Sequence, residues 1–414
     1  MNPAFIPPRY ITSARFGALT PYIQPYITLV NQEGYQPPTI IGHLRLIGRL
    51  HRWLRRTGHQ LCELDERLLE RFLKCQRKKR RTHSGGDPVT LQRLLAVLRN
   101  AGAISPARKT SVPPTSGQRL TDRYRRFLLN ERGLAESTVD NYVWHVGQFL
   151  AGQFGRVGVN PGRLRVQDAI TFIRRTARAH SPQHAKHLVA ALRAFFRFLH
   201  YQGEIKSDLA PALPTVAGWA LSTLPKYIDA DAVQRVLDRC DRQTSVGRRD
   251  YAVLLLLARL GLRGGEVLRL ELEDIDWRTA QITIRARKGP GRARLPLPAE
   301  VGQALARYLR HDRPRGASRR VFLRARAPHA ALSHAAVISS LVRRALNKAG
   351  IESARKGAHL FRHSLATDML RHGASLDEIG QLLRHRSPNS TALYAKVDLN
   401  ALRPLALAWP GGAR

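Results

Sequence analysis

Near the C-terminus, in "LLRHRSPNSTALYAKV", Tyr394 follows His385 by nine residues. Upstream, "HLFRHSLATDML" carries His359, Arg362 and His363. A tyrosine near its usual pKa of about 10 is only about one part in a thousand ionised at neutral pH. It becomes a useful nucleophile beside a base and cations. If its target is a phosphodiester, the transition state gathers negative charge on the non-bridging oxygens. Guanidinium forks and imidazoles stabilise such charge, and a lysine on a hairpin could protonate the leaving oxygen. His359 and His363, at i and i+4, also admit a metal reading. Against it, "HLFRH" lacks the glutamate of H-E-x-x-H, no third ligand is evident, and Arg362 is unfavourable beside a cation. His363 therefore reads as structural, and no metal is expected.

Several elements must position these groups. The helix "SLDEIGQLL" opens with a capping box, Ser375 and Glu378. It buries Leu376, Ile379, Leu382 and Leu383, and leaves His385 just past its C-terminus, where the macrodipole favours a protonated imidazole. "RSPNS" turns the chain, and "TALYAKV" starts a short helix carrying Tyr394. In "HLFRHSLATDML", Leu365, Ala366 and Met369 point to the core, while His359 and Arg362, at i and i+3, share a face. Before these come the helices "DADAVQRVLDRC" and "RDYAVLLLLARLGL", then the alternating "AQITIRARKGPGRARLPLP". There Ile282 and Ile284 share one face, and Gly289-Pro290-Gly291 turn a hairpin. The C-terminal part is thus mostly α with a small antiparallel sheet.

The 414 residues exceed one ordinary domain, and 43% hydrophobic content with regular periodicity argues against disorder. The chain holds 69 Lys+Arg against 30 Asp+Glu, a net charge of +39, which points to a polyanion such as DNA or RNA. A high-GC genome would explain the choice of Arg over Lys, but not the shortage of acids. Cys62, Cys75 and Cys240 lack CxxC spacing, which suggests a reducing compartment. The N-terminus has no secretion-signal pattern. The longest apolar run is interrupted by Arg259 and is too short for a bilayer, so a cytoplasmic protein is expected.

Pro-rich stretches at about 104–117 and 207–227 read as linkers. The segments before them resemble each other. Gly34/Thr39 recurs as Gly133/Thr138, Leu61/Asp65 as Leu164/Asp168, and Gly102/Ile104 as Gly203/Ile205. The spacing of about one hundred residues suggests an internal duplication. Basic runs lie between the repeat elements: Arg77, Lys78, Lys79, Arg80 and Arg81 in the first copy, and Arg174, Arg175 and Arg178 in the second. On small helical modules in so basic a chain, these are candidate phosphate contacts.

Four stretches, "ARLGLRGGEVLRLELEDIDW", "KGPGRARLPLP", "HLFRHSLATDML" and "LLRHRSPNSTALYAKV", resemble in order the signature boxes of the tyrosine recombinase, or phage integrase, family. Arg263 and Glu266 match the first box, and Lys288 matches the hairpin lysine eight residues before Pro296. His359 and Arg362 match His-x-x-Arg, His385 matches the second histidine, and Tyr394 matches the nucleophile. Arg384 stands where the family usually has glycine, which implies an altered turn rather than lost activity.

The resemblance implies a mainly α fold: helical SAM-like core-binding modules and a mostly α catalytic domain with a small antiparallel sheet, clamped around DNA. The division expected is an extra helical module at 1–110, duplicating the core-binding module at 118–206, a linker at 207–227, the catalytic domain at 228–398, and a tail at 399–414 that contacts a neighbouring protomer. The implied activity is site-specific cutting and rejoining of duplex DNA through a 3′-phosphotyrosine on Tyr394. Arg263 and Arg362 would clamp the phosphate, and His385 would donate to it. His359 would assist proton transfer at the tyrosine, Lys288 would protonate the 5′-oxygen, and Glu266 would orient Arg263. No metal, ATP or other cofactor is implied, and no membrane. The partners implied are double-stranded recombination sites and further copies of the chain, a tetramer in the synaptic complex, with a monomer in solution as one option. The setting implied is the bacterial cytoplasm, at the nucleoid when bound, and the purpose is integration, excision or transposition of a mobile element. A type IB topoisomerase would share the chemistry but relax supercoils alone, and an inactive DNA-binding relative would form no covalent adduct.

Overall fold

The computed structural model describes residues 13–79, 86–106, 115–155, 158–216, 225–285, 291–385 and 387–396. It divides into two compact units, one of Met1–Ala107 with Thr223–Arg414, the other of Arg108–Ser222.

The N-terminal module of the first unit follows a helical turn at Ser13–Phe16. It comprises α1 (Thr20–Gln32), α2 (Pro37–Thr57), α3 (Glu66–Lys79) and α4 (Asp87–Asn100). Prolines at the start of α2 give up no hydrogen bond there, and Gly58 ends it with φ 71. Ile40, Ile47 and Leu50 of α2, Phe72 of α3, and Leu91, Leu94, Leu95 and Leu98 of α4 are buried in one core.

The second unit repeats this order. Helix α5 (Ser116–Arg126) runs into a π-turn at Phe127–Glu131, followed by α6 (Glu136–Phe154), α7 (Val166–Ala179) and α8 (Pro182–Tyr201). Its core takes Val139, Val146 and Phe149 from α6, Phe172 from α7, and Leu192, Phe195, Phe196 and Leu199 from α8. These are the counterparts of the buried residues in α2, α3 and α4. Glycines with positive φ sit at matching places, Gly34 with Gly133 and Gly102 with Gly203. One pairing read from the sequence shifts. Leu64, rather than the less buried Leu61, corresponds to Leu164, since each ends a 3-10 turn before the third helix and is buried. The stretch read as a linker is partly core, because Ala210 and Leu213 are buried in this unit and Arg193 donates to the Leu213 carbonyl at 2.8 Å.

The rest of the first unit contains α9 (Ala230–Asp238), α10 (Ser245–Arg259) and α11 (Gly264–Arg269). A sheet of β1 (Ile275–Asp276), β2 (Gln281–Arg285) and β3 (Arg292–Pro296) follows. Then come α12 (Ala299–His311), α13 (Ala335–Lys348), α14 (Ala358–Arg371), α15 (Leu376–Leu383) and α16 (Ala392–Ala395). Helix α10 is central: Val253, Leu254, Leu255, Leu256 and Leu257 are all 0% exposed, as expected for a helix apolar on most sides. The strands pair antiparallel in the order β1-β2-β3, with Ile282 opposite both Ile275 and Leu295. Ile282 and Ile284 are buried on one face, as the alternation predicts. A smaller core of Ala366, Ile379, Leu383 and Tyr394 joins α14, α15 and α16. The N–H of His329 donates to the Glu33 carbonyl at 3.1 Å, linking this domain to the N-terminal module. Among the described residues no helix is long and apolar enough to cross a membrane.

Candidate active site

The chain leaves α10 through Gly261, which has φ 56; a Cβ there would lie 2.6 Å from Leu383. Glycine thus permits both the turn and the close approach of α15. Arg263 then caps α11. Its N–H donates to Glu266 Oε2 at 2.8 Å, and its guanidinium donates to Oε1 at 2.9 Å. Arg384 donates to the same carboxylate at 3.0 Å. Burial pushes the Glu266 carboxyl up, but the Arg263 N–H and the guanidinium groups of Arg384 and Arg263 outweigh it and hold the pKa below the usual value. Glu266 therefore ties two cations together.

Arg384, at the end of α15, takes the left-handed conformation that glycine adopts most readily, φ 55 and ψ 50. The strain of about 1–2 kcal/mol is offset by its bonds to Glu266 and to the Leu382 carbonyl at 2.8 Å.

Helix α15 is capped as predicted: the Glu378 N–H donates to Ser375 Oγ at 3.2 Å, and the Ser375 N–H donates to Glu378 Oε2 at 2.8 Å. Beyond it the His385 N–H donates to the Gly380 carbonyl at 2.9 Å, and its Nδ1 lies 2.7 Å from Thr391 Oγ1. The expectation of a protonated His385 is overturned. Burial, then the charges of Arg362 and Arg263, pull its pKa down to about 4. Burial, together with several nearby cations, outweighs the helix dipole.

His359 and Arg362, three positions apart on α14, differ in exposure. His359 is exposed on a cleft, and burial, Arg362 and Arg263 hold its pKa below the ordinary value. Arg362 is 3% exposed and turns inward. It donates to the carbonyls of Gly261, at 2.6 Å, and Leu383. It therefore fastens the Gly261 turn to the end of α15.

Tyr394 is 1% exposed, against Ala366, Ile379 and Leu383. Its Oη lies 2.8 Å from His363 Nδ1, and its ring is parallel to that of His385 with centroids 6.4 Å apart. Burial pushes the phenol pKa up, opposed by Arg362 and Arg263. His363, read as structural from the sequence, is therefore the residue that touches the tyrosine hydroxyl. The only sequence signal for it was its place one turn after His359.

One cleft is lined by Arg263, Glu266, His359, His363, Arg384 and His385. Lys226, Arg269, Arg292 and Arg355 also line it, and Glu266 is the single carboxylate among the lining residues. Such a cleft can hold a phosphate, with hydrogen-bond donors to spare. Arg362 and Tyr394 stand directly behind it. Lys288 lies outside the described residues, as do Arg80, Arg81 and the tail 399–414. Arg77, Lys78 and Lys79 fall in the last turn of α3, their side chains outside what is described. Arg174, Arg175 and Arg178 are exposed on α7, with Arg175 Cζ 5.4 Å from the centre of the Phe172 ring.

Residues 226–400 match the phage integrase family, and residues 121–203 match the phage integrase N-terminal SAM-like domain. The chain is also 42% identical over 415 residues to "Putative integrase/recombinase y4rA" of Sinorhizobium fredii (strain NBRC 101917 / NGR234), covering 98% of this chain and 100% of that one. The chain belongs to the phage integrase family.

Within this family of tyrosine recombinases, the tyrosine recombinase XerD of Listeria innocua serovar 6a (strain ATCC BAA-680 / CLIP 11262) is 28% identical, over 67% of this chain and 94% of its own. The post-cleavage complex of the site-specific recombinase XerH with palindromic difH substrate shares the fold, with a TM-score of 0.56 and 20% identity over 70% of this chain and 84% of that one. Tyrosine recombinases are a class of DNA strand-exchange enzymes, and membership supports site-specific DNA recombination.

Proposed function

We propose that the chain binds double-stranded DNA recombination sites and cuts and rejoins them through a 3′-phosphotyrosine on Tyr394. The observation that carries this reading is the cleft lined by Arg263, His359 and His385, with the Tyr394 hydroxyl directly behind it on His363. Arg263 has the exposure to grip a phosphate, while Arg362 adds charge from beneath. Neutral imidazoles of His385 and His359 can each donate an N–H to a non-bridging oxygen. In the first step Tyr394 Oη bonds to phosphorus, the bond from phosphorus to the 5′-oxygen breaks, and the phenol proton passes to His363 or His359. Lys288 supplies a proton to the departing 5′-oxygen. A 5′-hydroxyl then reverses the step, so the rejoining consumes no ATP.

Tyr394 does not line the cleft, so its hydroxyl reaches a bound phosphate by displacement of the short helix α16. The matching buried positions of the two helical modules support residues 1–110 as a duplicate of the core-binding module. The full-length similarity to y4rA accords with integration, excision or transposition of a mobile element in the bacterial cytoplasm. The tail 399–414 would join protomers of a synaptic tetramer. Its deletion should abolish synapsis while leaving single-site binding, and unchanged recombination would reject that role.

The chain should be incubated with nicked duplexes carrying the ends of its own element and then denatured in SDS. An SDS-resistant adduct that disappears in Tyr394→Phe is expected. No adduct, or one that persists in Tyr394→Phe, removes the proposed nucleophile.

A further inference from the structure

Helix α2 of the N-terminal module contains no Asp or Glu. Arg45, Arg49, Arg52 and Arg56 fall at spacings of four, three and four, which place them on one helical face. Arg45, Arg52 and Arg56 are exposed and Arg49 is half-buried. The stripe borders two grooves. One is lined by His43, Arg45, Arg49, Gln76 and Arg93, with Arg324 from the catalytic domain; the other by Arg49, Arg52, Trp53, Arg55, Arg56 and Gln76. Arg49 and Gln76 belong to both, so the two grooves adjoin. Asp87 is the one carboxylate among all the lining residues.

The second module serves as an internal control. Its corresponding helix, α6, buries its core through Val139, Val146 and Phe149, as α2 does through Ile40, Ile47 and Leu50. At the places of the four arginines stand Trp144, Gln148 and Ala151 and, just past its end, Gly155, and α6 contains no Arg or Lys. This helical architecture therefore packs without the guanidinium stripe, whose presence on α2 calls for a ligand. At 1.5 Å per residue the stripe extends about 16 Å, the axial rise of roughly five base-pair steps. A protein partner would need an apolar centre, yet Val89 is the one large exposed hydrophobic among the described residues of this module. Guanidinium forks in a row match successive phosphates.

We infer that the Arg45–Arg49–Arg52–Arg56 face of α2 is a DNA-backbone contact of the N-terminal module, separate from the cleft of the active site. The choice of duplex DNA as ligand rests on the recombinase reading above. Neutralising a phosphate changes the slope of log K against log salt by about 0.9.

Binding of the full chain to a 40-base-pair duplex of arbitrary sequence should therefore be measured from low to physiological salt. R45Q/R52Q/R56Q, with an unchanged melting curve, should flatten the slope by about 2 to 3, while R45K/R52K/R56K should retain it. Adduct formation on nicked DNA is followed in parallel. An unchanged slope in the glutamine variant, with adduct formation intact, overturns this surface alone. Failure of the unaltered chain to bind duplex DNA overturns it together with the reading it rests on. A loss confined to duplex RNA would assign the face to RNA and overturn the inference.

Discussion

His363 Nδ1 lies 2.8 Å from the hydroxyl of Tyr394, which is itself almost fully buried. Burial, then His359 and Arg362, pull the imidazole pKa down to about 4, while burial pushes the phenol above its usual value. The lowered imidazole and the raised phenol both oppose proton transfer between them. Without substrate the pair therefore shares a hydrogen bond and the tyrosine stays neutral. A phosphate bound in the cleft would offset the charges of His359 and Arg362, which add to burial in depressing the imidazole, and should make His363 a stronger base.

His363→Ala should lower the rate of adduct formation by about two orders of magnitude while leaving duplex affinity unchanged. His363→Gln, which retains a hydrogen-bonding group, should recover part of the melting temperature but little of the rate. Single-turnover cleavage at saturating enzyme separates the two effects. An undiminished rate in His363→Ala would reduce the residue to a packing role.

Arg263 and Arg362 should fail differently. The Arg263 side chain is 38% exposed, so Arg263→Ala should lose cleavage with little change in stability. Arg362 serves two buried carbonyls. Its replacement by Ala should also destabilise the fold by about 3 kcal/mol, at roughly 1.5 kcal/mol per charge-assisted bond. Denaturant titration of both variants checks this, and equal stability losses would contradict it.

Arg384 lets the backbone and side-chain contributions be separated. Arg384→Ala keeps the left-handed strain and loses the Glu266 pair, a destabilisation of about 2 kcal/mol. Arg384→Gly loses the same pair but relieves the strain, so it should be about 1 kcal/mol more stable than the alanine variant. Two variants of equal stability would show that the φ 55 conformation carries no strain.

Much of this was legible in the sequence, and what was hidden depended on long-range partners. The α15 helix and its Ser375–Glu378 cap follow from local rules, as does the alternation that buries Ile282 and Ile284. The spacing of His385 and Tyr394 also survives folding. The burial of Arg362 was hidden because its acceptors are carbonyls 101 and 21 residues away. The charge state of His385 was misjudged because its burial, and the charges of Arg362 and Arg263, depend on elements distant in sequence. Strand β1 has only two residues, too few for any alternation to register. Arg384 implied an altered turn, and only the fold shows the Glu266 carboxylate that holds its side chain.

The depressed histidines also set a pH dependence. His43, His145, His363 and His385 all have pKa values near 4, burial being the largest cause in each case. The unfolded chain protonates them near 6.5, so between about pH 6.5 and 4 it binds more protons than the folded state. Stability should therefore be level above about pH 6.5 and decline as pH falls toward 4. Denaturant midpoints at pH 7.5, 6 and 5 measure this. His145→Gln, at a position 2% exposed, should make the decline shallower; an unaltered decline would remove His145 from the set.

The most direct test of the central claim is to locate the covalent bond. The adduct formed on nicked DNA should be digested with nuclease and trypsin, and its peptides sequenced by mass spectrometry. The nucleotide should be found on the peptide spanning residues 387–396, joined through its 3′-phosphate to Tyr394. A nucleotide attached to any other residue, or through a 5′-phosphate, would contradict the account.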